Sequence, residues 1–97
     1  MTQRVTILGA TGSVGQTTLD VMGRHPDRFE VFALTAHQRV PELVELCRVW
    51  RPRHAVVSTA DQASQATLEL SRLGCRTEVS YGPQSLIDVA AHPDVEA

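Results

Sequence analysis

Ninety-seven residues, 42% hydrophobic and 21% charged, suffice for one small globular domain and are too few for two. A net charge of −2 and an aromatic content of 4% give no electrostatic or stacking platform for nucleic acid, and no apolar run reaches membrane-spanning length. Two cysteines, Cys47 and Cys75, are too few and too far apart for a disulfide framework or a metal knuckle.

Those cysteines read as buried, reduced thiols of a cytoplasmic protein, although sequence alone leaves a bridge between them open. The amino end carries no basic stretch followed by an apolar core, the pattern of an export signal.

The first predicted element is a β-branched strand, Val5 to Leu8, which runs into a loop with glycines at Gly9, Gly12 and Gly15. A helix leaves that loop with Val14, Thr18, Val21 and Met22 expected on its inner face, and Gly23 with His25-Pro26 stops it. A strand that hands over to a helix through such a loop suits a dinucleotide. Glycines let the backbone turn and approach phosphate oxygens, while the first N–H groups of the helix supply donors and a positive dipole. The plainer alternative is a turn that binds nothing, with glycines serving only helix–strand packing.

Glu30 to Thr35 predicts a second buried strand. Pro41 starts a helix that turns Leu43, Leu46, Cys47 and Trp50 inward, and Arg51-Pro52 ends it. A third strand spans His54 to Ser58. Ser58, Thr59 and Asp61 are candidate caps of a third helix with Ala63, Ala66, Thr67, Leu70 and Leu73 inward, closed by Gly74. Arg76 to Tyr81 alternates weakly, as an edge strand does. Gly82-Pro83 opens a last helix carrying Leu86, Ile87, Ala90 and Ala91.

The order βαβαβαβα with short links predicts an α/β fold, a Rossmann-type parallel sheet with right-handed crossovers. Asp94-Val95-Glu96-Ala97 resembles the approach to a further strand. A doubly wound sheet continues on the far side of its first strand, so the expectation is an incomplete doubly wound domain, residues 1–97 of a longer enzyme.

The residues after the second strand choose the cofactor. A carboxylate there favours NAD, whereas a basic group accommodates a 2′-phosphate. Here Thr35-Ala36-His37-Gln38-Arg39 has no carboxylate, Arg39 offers a planar fork suited to phosphate, and His37 and Gln38 can add donors. That favours NADPH over NADH, against the plainer reading of Arg39 as a solvated loop arginine. His25 and His92 precede prolines at helix ends, His54 opens a strand, and Asp20 and Trp50 read as surface and core. No histidine pair has metal-ligand spacing, and nothing in the sequence constitutes a catalytic or metal site.

The joint pattern is more specific than the glycine loop alone. Ile7-Leu8-Gly9-Ala10-Thr11-Gly12-Ser13-Val14-Gly15, Thr18-Leu19-Asp20-Val21, His25-Pro26-Asp27-Arg28-Phe29 and Ala33-Leu34-Thr35-Ala36 resemble the amino-terminal domain of the 1-deoxy-D-xylulose 5-phosphate reductoisomerases. Arg51-Pro52-Arg53-His54-Ala55-Val56-Val57 and Arg76-Thr77-Glu78-Val79 extend the likeness over essentially the whole chain.

The resemblance implies an NADPH-dependent enzyme of non-mevalonate isoprenoid synthesis, which rearranges a deoxyxylulose phosphate and reduces the aldehyde to methylerythritol phosphate. It implies a homodimer and a Mg²⁺ or Mn²⁺ ion that holds the sugar phosphate through residues outside this segment. It gives Thr11, Gly12, Ser13 and Val14 the pyrophosphate-loop role. The family's 2′-phosphate loop reads Ala-Gly-Lys/Arg-Asn, where this chain has Ala36, His37, Gln38 and Arg39, so Arg39 replaces the usual basic contact from one position later.

Gly-Ala-Thr-Gly-x-x-Gly also occurs in extended short-chain reductases and in aspartate-semialdehyde-type dehydrogenases. The first need a Tyr-x-x-x-Lys pair, and all nine basic residues here are arginine. The second need an activated cysteine, for which neither Cys47 nor Cys75 has a suitable setting. A reading from another class, a stand-alone NADP-sensing module, requires a self-sufficient fold.

Overall fold

A computed structural model describes residues 2–93 and Val95. Eight elements alternate: β1 (Gln3–Ile7), α1 (Ser13–Gly23), β2 (Phe29–Thr35), α2 (Val40–Trp50), β3 (His54–Val57), α3 (Ala60–Arg72), β4 (Glu78–Tyr81) and α4 (Pro83–Ala90). The strands lie side by side in the order β1-β2-β3-β4, every pair parallel. Successive right-handed crossovers in one direction put their helices on one face of a sheet. Accordingly α1, α2 and α3 share a core with that face, built on Ile7, Val31, Leu34, Ala55 and Val57 against Leu19, Leu43, Cys47, Ala66 and Leu70.

The other face carries a smaller core of Phe32, Ala33, Val56 and Val89, with Val95 packed on it. Val89 belongs to α4, which therefore turns to the opposite side. Thr6 Oγ1 of β1 donates to Val89 O at 3.1 Å, so α4 leads the chain from β4 back under β1. A return to the first strand is how a doubly wound sheet changes direction.

A bulge sets which residues face each core. Val5 pairs with Val31 and Thr6 with Ala33, so Phe32 is the extra residue of β2. Phe32 and Ala33 consequently share one face, although neighbours in a regular strand point to opposite faces.

The helical faces depart from the sequence reading at several points. In α1 the buried residues are Gly15, Leu19 and Met22, while Val14 and Val21 are 79% and 49% exposed and Thr18 is exposed. Gly15 lets α1 seat its backbone on the loop, and that contact rotates the helix away from its most apolar stripe. In α2 Leu43 and Cys47 are buried and Leu46 and Trp50 half-buried. Thr67 of α3 and Leu73, its C-cap, face solvent, and α4 buries only Val89 among the described residues, leaving Leu86, Ile87, Ala90 and the C-cap Ala91 exposed.

Candidate functional site: the carboxyl ends of the strands

Parallel strands place all their carboxyl ends on one side. There Gly9 follows β1, Ala36 to Arg39 follow β2, Ser58 follows β3 and Gly82 follows β4. Of these, Gly9, Ala36, His37, Ser58 and Gly82, together with Leu8, Val56, Val57, Pro83 and Leu86, line a largely apolar cleft of about 450 Å³, with Gln38 and Arg39 just outside its lining. This is where open α/β sheets take their ligands.

The glycine loop borders the cleft, and each glycine has a separate physical reason. Gly9 has φ +65°, in the left-handed region that favours glycine. A Cβ on Gly15 would lie 2.5 Å from Gly9 O and 2.7 Å from Ala10 Cα, so only glycine fits. A Cβ on Gly12 would stand 3.3 Å from Gly9 O, a tight but smaller intrusion. Gly12 N–H donates to Gly9 O at 3.0 Å, and the side-chain amide of Gln16 donates to Thr11 O at 2.9 Å.

Thr35 ties this loop to the sheet. Its Oγ1 accepts from Gly9 N–H at 2.9 Å and its carbonyl accepts from Ala10 N–H at 2.7 Å. Sequence reasoning gave Thr35 no role; the available signal was a threonine closing an apolar strand at the level of the glycines.

The amino end of α1 stays open. Its N-cap, Gly12, supplies no side-chain hydrogen bond, the first turn holds no acidic residue, and Gly12, Ser13 and Val14 are exposed. By contrast α3 has a full capping box, in which Thr59 accepts from Gln62 N–H and the Gln62 side chain accepts from Thr59 N–H. An uncapped first turn presents its N–H groups and positive dipole end to whatever anion approaches. Thr11 is the exception in this loop, since it is 6% exposed and can face a ligand only through its main chain.

After β2, His37, Gln38 and Arg39 are all exposed. Arg39 takes a left-handed conformation (φ 60°, ψ 51°) as N-cap of α2, and its guanidinium reaches Thr11 O at 3.5 Å. The 2′-phosphate candidate and the pyrophosphate loop are thus adjacent, 28 residues apart in sequence. His37 is pinned by Ser58. The Ser58 hydroxyl donates to His37 O at 2.7 Å and lies 2.8 Å from His37 Nδ1. That hydroxyl has one proton to give, so Nδ1 must be the donor in the second contact, and Nε2 is left as the outward nitrogen. Ser58, read from sequence as a helix cap, instead orients a cleft residue; the cap is Thr59.

Two other side chains singled out in the sequence are buried in the core. Cys47 and Cys75 are both free and buried, and desolvation, with Cys75 as a smaller contributor, pushes the Cys47 thiol up to about 12. A thiol held protonated is no nucleophile, which removes Cys47 as the cysteine that the semialdehyde-dehydrogenase reading needs. His54 packs against Phe32 with the rings tilted by 49° and their centroids 5.1 Å apart. Among the described residues no group of three His, Cys, Asp or Glu side chains could hold a metal ion, and no helix is long and apolar enough to cross a membrane.

Comparison with known proteins agrees with this geometry. The family profile of 1-deoxy-D-xylulose 5-phosphate reductoisomerase matches residues 5–97. The protein of that name from Aromatoleum aromaticum is 57% identical over 95 residues, 98% of this chain and 24% of the relative; its counterpart from Paraburkholderia phytofirmans is 52% identical over 90 residues, 93% and 22%. A crystal structure of DOX-P reductoisomerase with NADPH, fosmidomycin and magnesium superposes with a TM-score of 0.91 at 34% identity, over 96% of this chain and 22% of that one. The Zymomonas mobilis enzyme in complex with NADPH gives 0.87 at 33% identity, over 95% and 24%. The chain therefore spans about a quarter of the length of the relatives it matches.

Proposed function

Because the chain belongs to the 1-deoxy-D-xylulose 5-phosphate reductoisomerase family, we propose that residues 1–97 form the NADPH-binding unit of such an enzyme. The observation that carries this reading is the adjacency of the uncapped α1 terminus and the Arg39 guanidinium, in the same pair of loops whose Gly9 and His37 line the apolar cleft. A pyrophosphate needs the first; a 2′-phosphate at adenosine-ribose distance needs the second.

In this arrangement Ser13 and Val14 offer main-chain N–H groups to the pyrophosphate, Gly12, whose own N–H is held by Gly9 O, lets the backbone approach it, and Thr11 contributes backbone only. Gly9 and Gly15 give the loop its shape. Arg39 and the outward edge of His37 face the 2′-phosphate, and Gln38 adds an amide donor. The cleft floor of Leu8, Val56, Val57 and Leu86 takes the adenine face. Val14, an apolar side chain 79% exposed beside the loop, gains a contact when the cofactor lies over it.

When held by these residues, NADPH would supply the hydride for reduction of the rearranged sugar phosphate to methylerythritol phosphate. The part of this segment is to hold the adenosine and pyrophosphate so that the reactive end is presented in a fixed position, and such positioning contributes much of an enzymatic rate. The divalent metal of that reaction finds no donor set among the described residues, and we assign it, the sugar phosphate site and the dimer contact to the rest of a longer, cytoplasmic enzyme.

Displacement of NADPH fluorescence by fragments tests the reading. Adenosine 2′,5′-bisphosphate should compete at least tenfold better than 5′-AMP. Equal competition would remove the 2′-phosphate site.

A further inference from the structure

At the opposite end of the sheet, where the strands begin, a second depression of about 310 Å³ is lined by Arg51, Pro52, Arg53, Gly74, Arg76 and Thr77. Its arginines are unlike most others in the chain. Arg4, Arg24, Arg48 and Arg72 each pair with a carboxylate (Glu30, Asp20, Glu45 and Glu69). Among the described residues no such partner lies within 4 Å of Arg51, Arg53 or Arg76, although the chain has more acidic than basic residues. Three arginines without a carboxylate partner lining one concavity leave a local excess of positive charge, which an anion would offset.

The depression is also built rather than loose. Thr77 Oγ1 donates to Pro52 O at 2.8 Å, Arg53 N–H donates to Phe32 O at 3.0 Å and Glu78 N–H donates to Arg53 O at 2.9 Å. These bonds lock the two arginine-bearing segments to each other and to β2. Arg51 itself closes α2 in the left-handed region (φ 48°, ψ 56°), a place where helices favour glycine. A strained conformation kept by a charged residue points to use of that charge.

We propose that Arg51, Arg53 and Arg76 form an anion site, separate from the cofactor cleft, for a small diphosphate. Each guanidinium is a planar fork that binds two oxygens side by side. Three forks match the terminal oxygens of a diphosphate better than the fewer oxygens of a single phosphate. Inorganic diphosphate and the diphosphate end of an organic ester share this chemistry.

The test is calorimetric titration of the protein with inorganic diphosphate, orthophosphate and methyl diphosphate. Saturable diphosphate binding is expected, at least tenfold tighter than orthophosphate. It should be unchanged in Arg39→Ala, which alters only the cofactor cleft, and weakened at least tenfold in Arg53→Gln/Arg76→Gln. Arg51→Gly serves as the variant that keeps the fold, since glycine suits the backbone there; it should melt no lower than the parent yet bind diphosphate severalfold more weakly. Methyl diphosphate binding as well as the inorganic ion supports an ester ligand, and its failure supports the free ion. Absence of saturable binding, equal affinity for orthophosphate, loss in Arg39→Ala or indifference to the Arg53/Arg76 change would each overturn the assignment.

Discussion

Gly15 stands so close to Gly9 that the first carbon of any side chain at 15 would lie 2.5 Å from the Gly9 carbonyl oxygen. The helix thus packs directly on the turn before it, and the open first turn is aimed by that contact. Gly15→Ala must push the two backbones apart, a form of overpacking that costs about 1–3 kcal/mol. For a chain of this size that corresponds to a fall in Tm of at least several degrees. Gly12→Ala, with its nearest contact at 3.3 Å, should melt much closer to the parent. Thermal unfolding followed by circular dichroism checks both.

On the proposed reading, Arg39 carries the cofactor choice. Hydrogen bonds to a charged group contribute about 1.5–3 kcal/mol, so Arg39→Ala should weaken NADPH binding roughly tenfold or more and leave NADH unchanged. Arg39→Gly, which suits the φ of 60°, should lose the same affinity without losing stability. Equilibrium titrations of the two variants, with melting curves, separate the charge from the backbone.

Ser58→Ala tests the orientation of His37. Without the hydroxyl, both the ring and the His37 carbonyl lose their partner. NADPH affinity should fall severalfold while the fold survives, because the α3 cap is Thr59 and remains. A double-mutant cycle with His37→Ala should show the two changes to be non-additive.

Cys47 makes stability depend on alkaline pH. Burial raises its thiol from 9.0 to about 12 in the folded state. Its contribution is complete below pH 9 and shrinks as pH rises toward 12, because the unfolded chain releases the proton first. The slope is at most about 1.4 kcal/mol per pH unit in that window. Denaturant titrations of the parent and Cys47→Ala between pH 8 and pH 10.5 should therefore diverge, with the parent losing more, and native Cys47 should resist iodoacetamide at pH 8.

The element order, the parallel sheet and the glycine loop were legible because each has a local cause: β-branched runs, helix stops and left-handed or close-packed glycines. The inner face of α1 was not. Val14 and Val21 give the more apolar stripe, but a contact between Gly15 and Gly9 decides the rotation, and hydropathy assigns no weight to a missing side chain. The Phe32 bulge was hidden for a similar reason, since a uniformly apolar strand does not reveal which neighbours share a face. Arg39 stands out in the sequence as a candidate by charge and position alone, and the structure puts its guanidinium next to Thr11 O. Thr35 and Ser58 could not, because their roles arise from bonds 26 and 21 residues away in sequence.

The central claim is a 2′-phosphate site beside a pyrophosphate loop in one unit. Calorimetric titration of the protein with NADPH and, in parallel, NADH measures it most directly. Saturable NADPH binding at least tenfold tighter than NADH is the predicted result. Equal affinity for the two, or no binding of either, would contradict it.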